Sequence, residues 1–260
     1  MNTSVLLERS EYLLEKIYQA TDDPSPSLLF DATELAECRE QSPVWLDCAR
    51  NPRVLEFMRQ EPEQWPGLIL ESSVPTDTLL EHLRHILLVR FGEQRKGVLC
   101  YCNPTTASYF FAADAAQSLA PWLGPVSRLS WYGGTWADQA EDKERWLSVD
   151  NPRAAQWRTM PGAAPARLSQ QQEQALQRQR REYFLYQWWK RQRDLSFTQA
   201  SEYLEQGMDL GFVQAEELQR FLDLRLRYAH HDLPRLASHT SNEDRLELLR
   251  RHWQDKESLT

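Results

Sequence analysis

The chain of 260 residues is 41% hydrophobic and 26% charged, a balance that excludes a disordered polypeptide and supports a sizeable core. Its formal net charge of −8 is unevenly placed: residues 1–160 hold 23 acidic and 15 basic side chains, and residues 161–260 hold 15 of each. An acidic front argues against a general nucleic-acid binder, which needs a basic face to release counterions. It suits a partner that is basic where it touches the front of the molecule.

No apolar run approaches the roughly 20 residues of a membrane helix, since Ile86 to Val89 is interrupted at once by Arg90. Met1 to Leu7 has no basic stretch before an apolar one and no cleavage signature, so cytoplasmic residence away from any membrane is expected. The four cysteines, Cys38, Cys48, Cys100 and Cys102, are too few for a disulfide scaffold and are expected to be reduced core thiols.

In chain order, apolar residues at Val5, Leu6, Tyr12, Leu13, Ile17 and Tyr18 are spaced like one helix face, so a helix is expected from Val5 to Ala20, stopped by the prolines Pro24 and Pro26. Short apolar runs then predict strands at Ser27–Ala32, Val44–Cys48, Gly67–Glu71, Leu87–Phe91 and Gly97–Cys102. Helical spacing predicts helices at Pro52–Gln60, Thr76–Ile86, Pro104–Ala113 and Ala115–Leu123. Pro52 and Pro104 fit the first helical turn, behind the good capping residues Asn51 and Asn103.

Alternating strands and helices imply an at least partly parallel sheet. Val126–Tyr132 and Arg145–Val149, with Gly133 and Gly134 at the turn, read as a hairpin closing the lobe. Residues 151–167 carry Pro152, Pro161, Gly162 and Pro165, a linker composition. No strand is evident beyond Val149.

Helices are expected at about 170–194, 198–209, 214–231 and 242–255. Ser169 with Gln172, Ser196 with Gln199 and Thr240 with Glu243 all show capping-box spacing. The fold class is therefore α+β or α/β, with an N-terminal mixed β-sheet lobe flanked by helices (1–150), a linker (151–167) and a C-terminal all-helical lobe (168–260).

Reactive motifs are scarce. His82 and His85 stand at i and i+3 on a helix without an evident third ligand, and read as a polar helix flank rather than a metal site. Cys100 and Cys102 fall on one side of an expected strand, but C-x-C lacks redox-pair spacing. His230 and His231 are expected at a helix end, where they complement the dipole. Phosphate-binding, nucleophile-elbow and zincin motifs are missing from the sequence. No catalytic, cofactor-binding or metal-binding residue is expected.

The chain is instead rich in aromatics. Trp122, Trp131, Trp136, Trp146 and Trp157 fall within residues 122–157, and Tyr183, Phe184, Tyr186, Trp188 and Trp189 lie on one helix. Successive helical residues are about 100° apart, so the second group cannot all face one core. Tryptophan and tyrosine often anchor protein interfaces. Trp188, Trp189 and Tyr186 are accordingly the first candidates for partner binding, and Trp131, Tyr132 and Trp136 the second.

The front lobe resembles a known family. Ser27-Leu-Leu-Phe-Asp-Ala-Thr33, Ser42-Pro-Val-Trp-Leu-Asp47 and Trp65-Pro-Gly-Leu-Ile-Leu-Glu-Ser-Ser73 are similar to the opening of the type VI secretion effector adaptors, also called Tap or TEC chaperones. Leu79 to Arg90, Val98 to Pro104 and Leu123-Gly-Pro-Val126 continue the likeness. The family often has an Asp where Asn103 stands, at a position for which it implies no catalytic acid. The resemblance implies a non-enzymatic adaptor that binds a cognate type VI effector through its recognition segment and promotes its loading onto the VgrG spike protein. Two rival readings are an immunity protein that neutralises a toxin and a transferase-like enzyme with an α/β fold.

Overall fold

Val5, Leu6 and Leu7 are all 0% exposed, because the first strand lies inside a sheet covered on both faces. The computed structural model describes the chain except residues 94, 113–115, 160, 161, 163, 235–240 and 259–260, and gives no side-chain description at 116 and 117. Two compact units result, Met1–Gln179 and Arg180–Thr260, with the division falling within one helix.

The first unit runs β1 (Asn2–Leu7), α1 (Leu13–Ala20), β2 (Ser27–Leu28), β3 (Val44–Asp47), α2 (Pro52–Gln60), β4 (Gly67–Ser72), α3 (Thr76–His85), β5 (Leu88–Phe91), β6 (Arg95–Val98), α4 (Pro104–Phe110), α5 (Ala116–Leu123), β7 (Val126–Gly133), α6 (Trp136–Ala140), β8 (Arg145–Asp150), β9 (Ala166–Arg167) and the start of α7 (Gln170–Trp189). Six strands form one sheet in the order β2-β3-β1-β4-β7-β8, and β6-β5-β9 form a small second sheet.

Every pairing in the large sheet is antiparallel. Among the described residues the expected parallel neighbours occur only in the small sheet, between β5 and β9. The α2 crossover does join two strands of like direction, but β1 lies between β3 and β4 and pairs antiparallel with both. Where that close pairing passes, Gly67 is required: a Cβ there would lie 2.4 Å from the Leu6 carbonyl oxygen.

Strand alternation divides the core into two layers. Val5 and Leu7 join Val44, Leu46 and Ile69 beneath Leu13 and Ile17 of α1 and Val54 and Met58 of α2. Leu6, Leu68, Leu70 and Leu129 face the other way, onto α3, α4 and α5. Each fully buried aliphatic side chain contributes about 1.5–3 kcal/mol. The helix expected from Val5 to Ala20 is therefore β1 followed by α1; a strand buried on both faces loses the alternation that marks strands.

Other expectations shift locally. The Ser27–Ala32 strand is only the two residues of β2. The Gly97–Cys102 strand ends at Val98. Beyond it Tyr101 is 1% exposed and its hydroxyl donates to the Leu83 carbonyl at 2.8 Å. Cys100 is exposed and Cys102 buried, so these two thiols do not share a side. Cys38 is also exposed, and Cys48 is buried. A helix, α6, stands in the expected hairpin between β7 and β8, closed by a capping box of Thr135 and Asp138.

The second unit holds the end of α7 with α8 (Phe197–Asp209), α9 (Ala215–Arg227) and α10 (Asn242–Glu257). The expected capping box of Ser196 and Gln199 starts α8. Thr240 lies outside the described residues, and α10 is capped by Ser241, whose Oγ accepts from the Asp244 amide at 3.2 Å. The α9 helix ends at Arg227, so Arg225 and Arg227 occupy its last turn and His230 and His231 lie beyond it. Phe197, Phe212, Phe221, Leu222, Leu249 and Trp253 fill the centre of this unit.

Candidate functional site

In the first unit the ends of α3 and α5, residues 153, 156–159, 162, 164 and 166–169, and the first turn of α7 surround an open cleft of about 1350 Å³. Small-molecule pockets usually measure about 300–1,000 Å³, so the space suits a larger occupant.

One wall is built on His82. Helical spacing from Leu79 and Leu83 turns this histidine inward, and it is 4% exposed rather than on a polar flank. Its Nε2–H donates to the Trp122 carbonyl at 2.9 Å, and its ring meets Trp157 edge-on with centroids 5.3 Å apart. Burial pushes the His82 pKa down to about 4, opposed by the bond to Trp122 and assisted by neighbouring His85. The imidazole is therefore neutral near pH 7. Among the described residues no group of three or more His, Cys, Asp or Glu is placed to hold a metal ion.

The turn after α5 closes on this ring. Gly124 has φ +54°, and a Cβ there would lie 2.3 Å from His82 Nε2. Asn151, 4% exposed, donates from Nδ2 to the Gly124 carbonyl at 2.9 Å, and its Oδ1 accepts from the Arg153 amide at 3.1 Å. The end of β8 thereby fixes the segment that carries Arg153, Trp157 and Arg158.

The far wall is the start of α7. Ser169 and Gln172 form the expected capping box: the Ser169 amide donates to Gln172 Oε1 at 3.0 Å, and the Gln172 amide to Ser169 Oγ at 3.1 Å. Gln172 is 1% exposed, and its Nε2 has no hydrogen-bond acceptor among the described residues. The cleft thus offers a half-buried indole at Trp157 beside apolar Trp122 and Leu168, together with the cationic side chains Arg153, Arg158 and Arg167. Such a surface can hold an extended chain by apolar contact and charge-assisted hydrogen bonds.

The aromatic candidates from the sequence lie elsewhere, and two have no surface to offer. Trp188 is 1% exposed and donates to Asp223 Oδ1 at 2.7 Å, which makes it a core residue of the helical unit. Trp131 is 3% exposed and donates to Ser108 Oγ at 2.9 Å, beneath the large sheet.

The others are half-buried. Trp189 donates to the Leu195 carbonyl at 2.7 Å and clusters with Tyr186 and Phe197 at centroid distances of 5.8 and 5.6 Å. Tyr132 packs across the β7·β8 ladder on Trp146, 5.9 Å away, while the Trp136 amide donates to the Tyr109 hydroxyl at 2.9 Å. Three of the six belong to each unit, and in each unit one of the three is a buried core residue. Trp157, in sequence one of the clustered tryptophans but not among the binding candidates, lines the cleft; its place in a proline- and alanine-rich connector is the signal that marks it.

Residues 6–113 match the model of the family described as domain of unknown function DUF4123. That segment runs from the end of β1 through α4 and includes His82. Neither the curated proteins nor the solved structures gave a match. Among the described residues no helix is long and apolar enough to cross a membrane.

Proposed function

We propose that the chain is a non-catalytic adaptor that binds a type VI secretion effector and promotes its loading onto the VgrG spike, with the cleft of the first unit as its grip. The observation that carries this reading is the DUF4123 match over residues 6–113, a domain family associated with type VI effector adaptors. The cleft supports it physically. Its size exceeds that of ordinary metabolite pockets, and its lining pairs an indole anchor with arginines.

Deleting the gene and measuring effector delivery into target cells tests the proposal. Loss of delivery of one effector, restored by the wild-type chain, supports the adaptor. Normal delivery of every effector contradicts it, and protection from a toxin without any change in delivery selects an immunity protein instead.

A further inference from the structure

The chain carries a formal charge of −8, yet the cleft of the first unit inverts that sign. Among the described residues Arg153, Arg158 and Arg167 line it with His85, against one carboxylate, that of Glu81. None of these arginines is engaged by a carboxylate among the described residues. Arg158 donates to the carbonyls of Ala155 and Trp157, Arg167 donates to the carbonyl of Gly92, and the Arg153 guanidinium has no partner there. Other exposed arginines do pair with acids, Arg39 with Asp31, Arg128 with Asp150, Arg220 with Glu243 and Arg251 with Glu247. The cleft thus gathers three arginines that no carboxylate engages among the described residues.

Further donors stand at the start of α7. The first-turn amides of α7, at Gln170 and Gln171, have no partner within the helix, and its positive dipole end favours an anion. Buried Gln172 adds an Nε2 with no acceptor among the described residues. Beside these lie Trp157, Trp122 and Leu168, which call for apolar side chains. A phosphodiester backbone carries no apolar side chain to meet these residues.

We infer that the cleft takes an acidic, apolar-anchored segment of the partner polypeptide, with its carboxylates on Arg153, Arg158 and Arg167 and an apolar side chain on Trp157. This rests on the adaptor reading above. It also reverses locally the expectation that a partner should be basic where it meets the front of the molecule.

The test uses the full chain and fluorescein-labelled peptides of alternating glutamate and leucine with a central tryptophan, alongside a lysine-for-glutamate counterpart and an oligothymidylate. Anisotropy is expected to show binding of the acidic peptide, weakening as salt rises, and no binding of the lysine peptide. Arg153→Glu combined with Arg158→Glu, at two exposed positions, weakens the acidic peptide by about tenfold or more, in line with the loss of charge-assisted contacts.

Equal binding of both peptides, preference for the oligothymidylate, or an unchanged affinity in the double variant overturns the inference. Effector delivery in a deletion strain separates this failure from failure of the adaptor reading. Full restoration by the double variant as well as by the wild type overturns the acidic segment alone, and delivery that never depended on the chain overturns both.

Discussion

His82 donates from Nε2 to the Trp122 carbonyl at 2.9 Å, which ties α3 to the end of α5 and sets one wall of the cleft. The bond is made by a neutral ring, because burial holds the folded-state pKa at about 4 against an ordinary 6.5. Above pH 6.5 neither state binds the proton. Between 6.5 and about 4 only the unfolded chain does, so this group lowers folding stability as pH falls through that window. The loss approaches about 3 kcal/mol at the acid end. Denaturant melts across this range should show it, and His82→Gln, which retains a donor for the carbonyl, should remove most of that slope.

Gly124→Ala should destabilise the first unit by a few kcal/mol, since φ is +54° and the new Cβ meets the His82 ring at 2.3 Å. The conformational strain and the clash are separable. In a His82→Ala background the clash disappears, so the same substitution should cost measurably less in a double-mutant cycle of thermal melts.

Arg225 is 8% exposed and is held by neutral groups. Its Nε donates to Gln206 Oε1 and its Nη1 to the Tyr228 carbonyl, both at 2.8 Å, and the guanidinium lies over the Tyr203 ring, 4.8 Å from its centroid. Arg225→Ala should cost the helical unit about 3 kcal/mol. Arg225→Lys should recover little, because an ammonium cannot reproduce the planar fork. Chemical denaturation of the full chain, followed through the tryptophans, measures both.

Trp188→Ala should cost about 3–5 kcal/mol through the cavity it leaves in the helical unit and, in addition, strand the Asp223 carboxylate that now accepts its indole N–H. Any loss of partner binding in that variant should follow loss of helical signal in circular dichroism. Trp157→Ala, at a half-buried position in the connector, should leave the circular dichroism spectrum and melting temperature nearly unchanged.

Local chemistry explains which parts of this fold could be read in advance. The boundaries of α2 are as expected from Pro52 and its flanks, and α4 starts where Asn103 and Pro104 place it, with Asn103 Oδ1 accepting from the Thr106 amide at 2.8 Å. Asn51 looked equivalent but does not cap. Its Nδ2 donates to the Pro24 and Asp47 carbonyls instead, a tertiary use that no local pattern encodes.

The β1 strand was hidden for a related reason: Val5, Leu6 and Leu7 are buried on alternate faces of a doubly covered sheet, so their run carries no period. The cleft was the least legible feature. His82, Gly124, Trp157 and Gln172 are far apart in sequence, and only the fold brings them to one site. Aromatic density, by contrast, pointed at Trp188 and Trp131, where large side chains accumulate because cores need volume.

The most direct measurement is effector delivery by a deletion strain carrying the Trp157→Ala chain at wild-type abundance. If the cleft is the grip on the effector, delivery should fall to the level of the deletion while the variant remains folded. Delivery equal to wild type from that strain would show that the effector is held elsewhere, or not held by this chain at all.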